Sequence, residues 1–338
     1  MKPFIYSNEK EECAFEGVRL RKNLKGALEL AKVSYVSNFF AAPDILHAFS
    51  PIKEDVIKEA KENGVKIVTS VFYTPHDPLY AFLEKTKNGY EISKLSQKTL
   101  LSSDMIFVPT PECKQYLLTL GLQEPIVILT PGINLSRFDG IDELEKEIFG
   151  RYAGLQKEQK YVISSGDYKD IEGLKRLSYL AKIHPNLRFF YFGSNDKGIS
   201  SYHYRKHLSK LYGGNISFYG LMEDDVYRSA ISGALAYLSL GSLPDYLGVL
   251  DAMSAKTPVY EITRPIFGNL SINGKTGYVH AEIENLNQCF SLMCQTEENP
   301  TIIEAYEFAK SNSLRSLGEE LIRNYKTLLN LKENSSND

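Results

Sequence analysis

The sequence predicts an α/β protein of two domains, each built on a parallel sheet. Three observations lead there. A chain of 338 residues exceeds one ordinary core and suits two domains of about 150 residues each. Short apolar runs alternate with longer amphipathic ones through both halves, the pattern of repeated strand–helix–strand units. In the second half, four successive strand segments end at or near a glycine, at Gly166, Gly193, Gly220 and Gly241. In a doubly wound sheet the carboxyl ends of strands line the ligand crevice, and glycine there lets backbone approach a ligand closely. Tight strand-to-helix turns account for any single one of them equally well.

Taken in order, "PFIYS" reads as a strand, residues 18–32 as a helix and "DILHAFS" as a strand. "KEDVIKEAKENG" is a helix closed by Gly64, and "VKIVTSVF" is a strand. "EISKLSQKTLLSSD" has the spacing of an amphipathic helix and "MIFVPT" that of a strand. "PECKQYLLTLG" is a helix opened by proline and closed by Gly121, and "PIVILTPG" is a strand. The stretch "INLSRFDGIDELEKEIFGRYAGLQKEQ" is charged and loop-rich, which places the domain boundary there. Beyond it "KYVISSG", "LRFFYFG", "ISFYGL", "ALAYLSLG" and "TPVYEI" read as strands with helices between them. A long helix over 302–331 closes the chain before the polar tail "KENSSND". The expected division is 1–135, 136–312 and, over 313–338, a C-terminal helix that returns to the first domain with the polar tail after it.

Composition narrows the function classes. Apolar content of 43% and charge of 24% are those of a soluble globular protein. A net charge of −3 provides no global attraction to nucleic acid, and no nucleic-acid partner is expected. The four cysteines, Cys13, Cys113, Cys289 and Cys294, lack the spacing of a disulfide framework or a zinc site, which points to a reducing cytoplasm and no metal. The opening "MKPFIYSNEKEEC" turns charged early, so no secretory leader is expected. No apolar run approaches the roughly 18 residues that span a bilayer.

Several motifs are more specific. "VPTPECKQYLLTLGLQEPIVILTPGINLSRF" resembles the interdomain signature of the retaining GT-B glycosyltransferases of family 4. "GLKRLSYLAKIHPNLRFFYFG", "NISFYGLMEDD", "LGVLDAM" and "RPIFGNLSINGKTGY" follow in that family's order and spacing. Within the family the resemblance is to bacterial diglycosyldiacylglycerol synthases, and it is strongest over 108–138 and 189–278. It implies two Rossmann-like domains facing a central cleft. It also implies transfer of a hexose from a nucleoside diphosphate sugar, a UDP-sugar, to a membrane glycolipid or surface glycan acceptor, without a resident cofactor. The enzyme would then work at the inner face of the membrane, where the family's basic docking helix corresponds to "LYAFLEKTKNGYEISKLSQKTLL". Four lysines against two glutamates in that stretch leave a weak patch.

The resemblance assigns donor contacts residue by residue. A diphosphate held without metal needs backbone N–H groups at a helix N-terminus and side-chain cations. Leu247, Gly248 and Val249 stand at that helix start. The family's Arg/Lys pair falls in "GDYKDIEG", where Asp167 and Glu172 flank the position and Lys169 is the nearby cation. Lys169 either substitutes for the pair or is a solvated loop lysine. The family's two acids, seven residues apart, meet Leu243 and Asp251, with Asp245 at an extra acidic position. Asp251 can accept ribose hydrogen bonds; its alternative is a capped or surface acid near the helix start. Gly17 keeps one glycine of the family's phosphate turn, and Arg19 replaces the other. Both histidines of the family's reacting-sugar motif are replaced: Ser70, Phe72, Tyr73 and Thr74 occupy that stretch, with His76 four residues beyond Phe72.

Two readings therefore stand. One is a working hexosyltransferase, with the nucleotide on Asp251 and the loops of Gly166, Gly193 and Gly220, and the phosphates near Gly248. The other is a catalytically inactive pseudo-glycosyltransferase serving as partner or scaffold of an active one. A sugar-nucleotide epimerase fits less well, because its catalytic His and acids are not evident.

Overall fold

The computed structural model describes residues 1–6, 15–71, 82–86, 89–123, 125–156, 158–193, 199–220, 222–296 and 299–330. The chain divides into two compact units. The first is Met1–Gly132 with the C-terminal segment from Asn312, and the second is Ile133–Ser311.

In the first unit β1 (Pro3–Tyr6) leads to α1 (Phe15–Leu30), β2 (Ile45–Ala48), α2 (Glu54–Glu62) and β3 (Lys66–Ser70). A two-stranded hairpin follows, β4 (Leu83–Thr86) against β5 (Gly89–Ile92), then α3 (Lys94–Ser102), β6 (Met105–Val108), α4 (Pro111–Thr119) and β7 (Ile126–Ile128). Five strands form one parallel sheet in the order β1-β2-β3-β6-β7. Strands β1, β2 and β6 are buried along their whole length. That is why they read as unbroken apolar runs and not as alternating ones. Local caps set the helix starts: the Ser93 hydroxyl accepts from the Ser96 N–H, and the Thr110 hydroxyl accepts from the Cys113 N–H beside Pro111 at the first helical position.

The hairpin corrects the expected helix in "LYAFLEKTKNGYEISKLSQKTLL". Its second half is helical only from Lys94, and Leu83 to Thr86 pair antiparallel with Ile92 to Gly89. The dipeptide Asn88-Gly89 in the sequence is a strong hairpin signal.

The second unit runs α5 (Glu143–Tyr152), β8 (Tyr161–Gly166), α6 (Ile171–Ile183), β9 (Arg188–Gly193), α7 (Ile199–Tyr212), β10 (Ile216–Tyr219), α8 (Asp224–Ser232), β11 (Ala236–Ser239), α9 (Tyr246–Ser254), β12 (Val259–Ile262), β13 (Tyr278–His280), α10 (Ile283–Met293) and α11 (Ile302–Ser311). Its six strands are parallel in the order β10-β9-β8-β11-β12-β13. Successive residues point to opposite faces. Ile163, Phe190, Tyr237 and Val259 join Phe149, Val249 and Leu250 on one side. Val162, Phe189, Leu238 and Tyr260 join Leu174, Leu208 and Phe290 on the other. The sheet is thus covered by helices on both faces, a doubly wound arrangement. Helix α5 lies within the stretch expected to be loop-rich, and Asp142 and Glu145 form a reciprocal capping box at its start. Strand β13 was not anticipated either.

The single long helix expected over 302–331 is two helices, α11 and α12 (Leu314–Leu328). The Ser313 hydroxyl caps α12 by accepting from the Ser316 N–H. α12 packs in the first unit against α1. A Cβ on Gly318 would overlap the Ala27 carbonyl, and one on Gly26 would lie 3.4 Å from Leu314, so the two helices meet with almost no space between backbones. Tyr325 of α12 is fully buried and bonds the ring of His47 on β2, whose other ring nitrogen lies 2.7 Å from the Ser70 hydroxyl. Among the described residues no helix is long and apolar enough to cross a membrane.

Candidate functional site

The carboxyl edge of the second sheet collects most of the residues singled out in the sequence. Gly166 and Gly193 end β8 and β9 and are paired in register. Gly220 follows Tyr219, which pairs with Phe192, so the three glycines stand in a row. One strand over, β11 ends at Ser239 and the chain passes through Gly241 to α9. Asp245 caps that helix, and its carboxylate accepts from the hydroxyls of Ser165 and Tyr237. These bonds bring the start of α9 beside the end of β8. Leu247, Gly248 and Val249 are buried at this helix start. Gly17 lies in the first turn of α1, in the other unit. Phe72, Tyr73, Thr74 and His76 lie outside the described residues.

The space beside the glycines is taken up by tyrosines of the same unit. A Cβ on Gly193 would overlap the ring of Tyr168, and one on Gly166 would overlap the hydroxyl of Tyr191. A Cβ on Gly248 would overlap the Tyr237 hydroxyl and the Asp245 carboxylate. Each of these glycines therefore has a packing reason of its own. Tyr168 also donates its hydroxyl to the Tyr219 carbonyl at the end of β10. Burial raises the pKa of Tyr168, Tyr191 and Tyr237, and for Tyr237 the Asp245 charge adds to it, so all three remain neutral hydrogen-bond donors.

The N-terminus of α9 already holds an anion. Asp245 is 5% exposed, its Oδ1 accepts the Gly248 N–H at 3.0 Å, and its carbonyl accepts the Val249 N–H at 3.0 Å. Two of the three N–H groups that the resemblance offers to a diphosphate are used inside the chain. Asp251, in the second turn of α9, is fully buried. Its Oδ1 accepts from Arg137 Nη1 at 2.9 Å and its Oδ2 from the Tyr227 hydroxyl at 3.2 Å. It is therefore not the surface acid that was the alternative reading. Arg137 reaches on to the exposed Asp224 and lies over the rings of Phe138 and Tyr227. Lys169 is exposed in the loop after β8, where its backbone N–H donates to the Asp167 carboxylate at 2.9 Å. Glu172, exposed, pairs with Lys175 at 2.9 Å.

Sequence reasoning missed a second set of charges at this edge. Arg264 and Glu261 are buried together and paired at 3.2 Å, while Asp170 caps α6 and reaches across to Ser242. Asp170 had a signal, an Asp directly before an amphipathic helix. Arg264 opens the motif "RPIFGNLSINGKTGY", but a lone charge after a strand reads as surface, and its burial with Glu261 was not legible.

No protein-family profile matches the chain. It is 23% identical to the processive diacylglycerol alpha-glucosyltransferase of Acholeplasma laidlawii, across 98% of this chain and 100% of that protein. Solved structures share the fold from end to end. Sucrose-phosphate synthase from Thermosynechococcus elongatus superposes with a TM-score of 0.74 at 13% identity, covering 98% of this chain and 99% of that one. Anabaena HepE in complex with UDP-glucose gives 0.69 at 11% identity, covering 96% and 99%. The chain spans 57% of the length of the pneumococcal O-GlcNAc transferase GtfA, solved with UDP and GlcNAc. The two parallel-sheet, Rossmann-like units are those of the GT-B fold.

Proposed function

We propose that this chain is a hexosyltransferase that takes its sugar from a nucleoside diphosphate donor, with a membrane glycolipid or surface glycan as acceptor. One observation carries the reading. The backbones at Gly166, Gly193 and Gly220 and the start of α9 converge on one carboxyl edge, the position at which open parallel sheets receive ligands. The full-length similarity to a diacylglycerol glucosyltransferase supports the acceptor class, and the UDP-glucose complex of HepE supports the donor class. In this reading the base and ribose lie on the loops of Gly166, Gly193 and Gly220, outside the tyrosines packed against Gly166 and Gly193. The diphosphate approaches α9 near Leu247, and Lys169 supplies the side-chain cation. The ribose role that the resemblance gives Asp251 requires Arg137 to leave it.

A second reading, an inactive relative that acts as partner of an active glycosyltransferase, is favoured by one specific feature. The Asp245 carboxylate occupies the start of α9, to which the resemblance assigns the diphosphate. A carboxylate beside a phosphate at low effective dielectric costs several kcal/mol. Thermal unfolding of the full chain with UDP, UDP-glucose and other nucleoside diphosphate sugars separates the two. A ligand at a hundred times its Kd adds about 2.7 kcal/mol of stability. The transferase reading expects such a shift, together with transfer of labelled glucose to glucosyl-diacylglycerol in vesicles. No shift with any donor and no transfer would leave the partner reading.

A further inference from the structure

The segment 239–245, between β11 and α9, is held from two sides by charged groups, Arg264 and Asp170. We propose that Arg264 and Asp170 are positioning residues which set the backbone of this segment, and with it the N-terminus of α9. For its ligand consequence the inference rests on the donor reading above.

Arg264 is 3% exposed, and its guanidinium is fully used. Nε donates to the Gly241 carbonyl at 3.0 Å, and Nη2 to the Ser239 carbonyl at 3.0 Å and the Ser239 hydroxyl at 2.9 Å. Nη1 donates to Glu261 Oε2 and the Ile262 carbonyl, both at 3.2 Å. Five bonds match the five donors of the group. A buried arginine is tolerated only when paired and satisfied in this way. Glu261 is held in turn by the Asn269 side-chain amide at 3.0 Å and the Ser271 N–H at 3.1 Å.

Asp170 grips the next residue from the other side. Its Oδ2 accepts the Ser242 N–H at 2.6 Å, and its Oδ1 accepts the Ser242 hydroxyl at 2.9 Å and the Gly173 N–H at 3.1 Å. The first turn of α6 and the segment touch without room for side chains. A Cβ on Gly173 would lie 3.1 Å from the Gly241 Cα, and one on Gly241 would lie 3.0 Å from Asp170 Oδ2 and 3.2 Å from the Leu243 carbonyl. The Gly241 carbonyl is thus fixed toward Arg264 and the Ser242 N–H toward Asp170. The peptide plane that joins Gly241 to Ser242 is held at both its oxygen and its nitrogen, and cannot rotate without breaking a charge-assisted bond on either side. A helix start held in place before ligand arrives binds without an ordering cost. The consequence falls on the phosphate end of a nucleotide, since the glycine row that would take the base is built from other strands.

Two conservative variants of the full chain test this. Arg264→Lys keeps a charge for Glu261 but loses the planar fork to Ser239 and Gly241. Asp170→Asn keeps an acceptor but cannot take both Ser242 bonds. Hydrogen–deuterium exchange should quicken about tenfold over 240–248 in each, the size expected for losing about one net hydrogen bond, with β8 and β9 unchanged. Calorimetry should show UDP affinity falling about tenfold while uridine affinity stays the same. Unchanged exchange over 240–248 in both variants overturns the inference. So does a uniform rise in exchange across the unit, or an equal loss for uridine and UDP, since either marks a general packing role. If the wild-type chain binds no UDP, the donor reading falls and the exchange result alone decides the positioning claim.

Discussion

The two units bury polar side chains by different means. In the first, the deep network is neutral: His47 sits between Ser70 and Tyr325, and Thr69 bonds Ser103 beside it. Burial lowers the pKa of His47 to about 3, so the ring carries no charge near neutrality. Apart from Arg21, the first unit's buried polar residues are uncharged types or this histidine, among the described residues. In the second unit the buried polar set contains Asp245, Asp251, Glu261 and Arg264, with Arg137 reaching in to Asp251. The difference matters because removing one member of a buried ion pair leaves an uncompensated charge, costing about 3–5 kcal/mol, whereas orphaning a neutral partner costs about 1–3 kcal/mol. The charged set also lies at the edge proposed to take the nucleotide, where fixed charges orient backbone at a stability risk the first unit avoids.

The largest effect should come from breaking the Arg137–Asp251 pair on its exposed side. Arg137→Ala leaves Asp251 fully buried with the Tyr227 hydroxyl still donating to it. The expected loss is about 3–5 kcal/mol in urea unfolding. Replacing both partners, Arg137→Met with Asp251→Leu, should cost clearly less than Arg137→Ala alone, because no charge is then stranded. A loss below about 1 kcal/mol for the single variant would show that water reaches Asp251, and the contrast between the units would collapse.

A smaller effect, with a pH signature, belongs to the neutral network. The folded-state pKa of His47, about 3, lies below its ordinary value of 6.5. Between those values the unfolded chain binds the proton and the folded chain does not. Stability from this group is complete above about pH 6.5 and falls as pH drops toward 3. At pH 5 the loss should be about 2 kcal/mol relative to pH 7. His47→Gln removes the titrating group, so the pH 7 to pH 5 difference in urea unfolding should shrink by that amount. An unchanged difference in the variant would mean the ring is protonated or solvated in the native chain.

How much of this was legible in the sequence depends on the range of the interaction. The strands of the second sheet were legible because fully buried parallel strands are continuous apolar runs that end at glycines, as at Gly166 and Gly193. The pairing of β4 with β5 was not, because their residues mix charge and aromatic character. The break before α12 was hidden because a Ser313 cap closes no apolar pattern. At the site, the row of glycines followed from strand ends, but not the tyrosines that fill the space beside them. Arg137 and Asp251 are 114 positions apart, and nothing local in either neighbourhood announces that they meet. Asp245 was legible as an acid near a helix start, but its role as the helix's own cap follows from hydrogen bonds to Ser165 and Tyr237, which lie on two other segments.

The smallest stability effect is expected at Lys169, and it sharpens the contrast from the other direction. Its backbone is set by its neighbours: the Lys169 N–H donates to Asp167, Tyr168 is buried between β8 and β10, and Asp170 begins α6. The side chain itself is exposed. Truncating it removes no buried contact, so Lys169→Ala should change unfolding free energy by no more than about 0.5 kcal/mol. The charged residues buried at this edge cannot be changed without unfolding cost, but Lys169 can be, which isolates chemistry from folding. If the donor reading holds, negative charge grows on the leaving diphosphate in the transition state, and this lysine is the cation proposed to meet it. Loss of one preorganised electrostatic partner then lowers the rate by roughly a hundredfold or more. A drop in kcat with little change in KM would place the lysine at the transition state, since an interaction made equally in the ground state would raise KM. Full activity in a stable Lys169→Ala chain would remove Lys169 from the site and leave the phosphates to backbone N–H groups that already share α9 with Asp245.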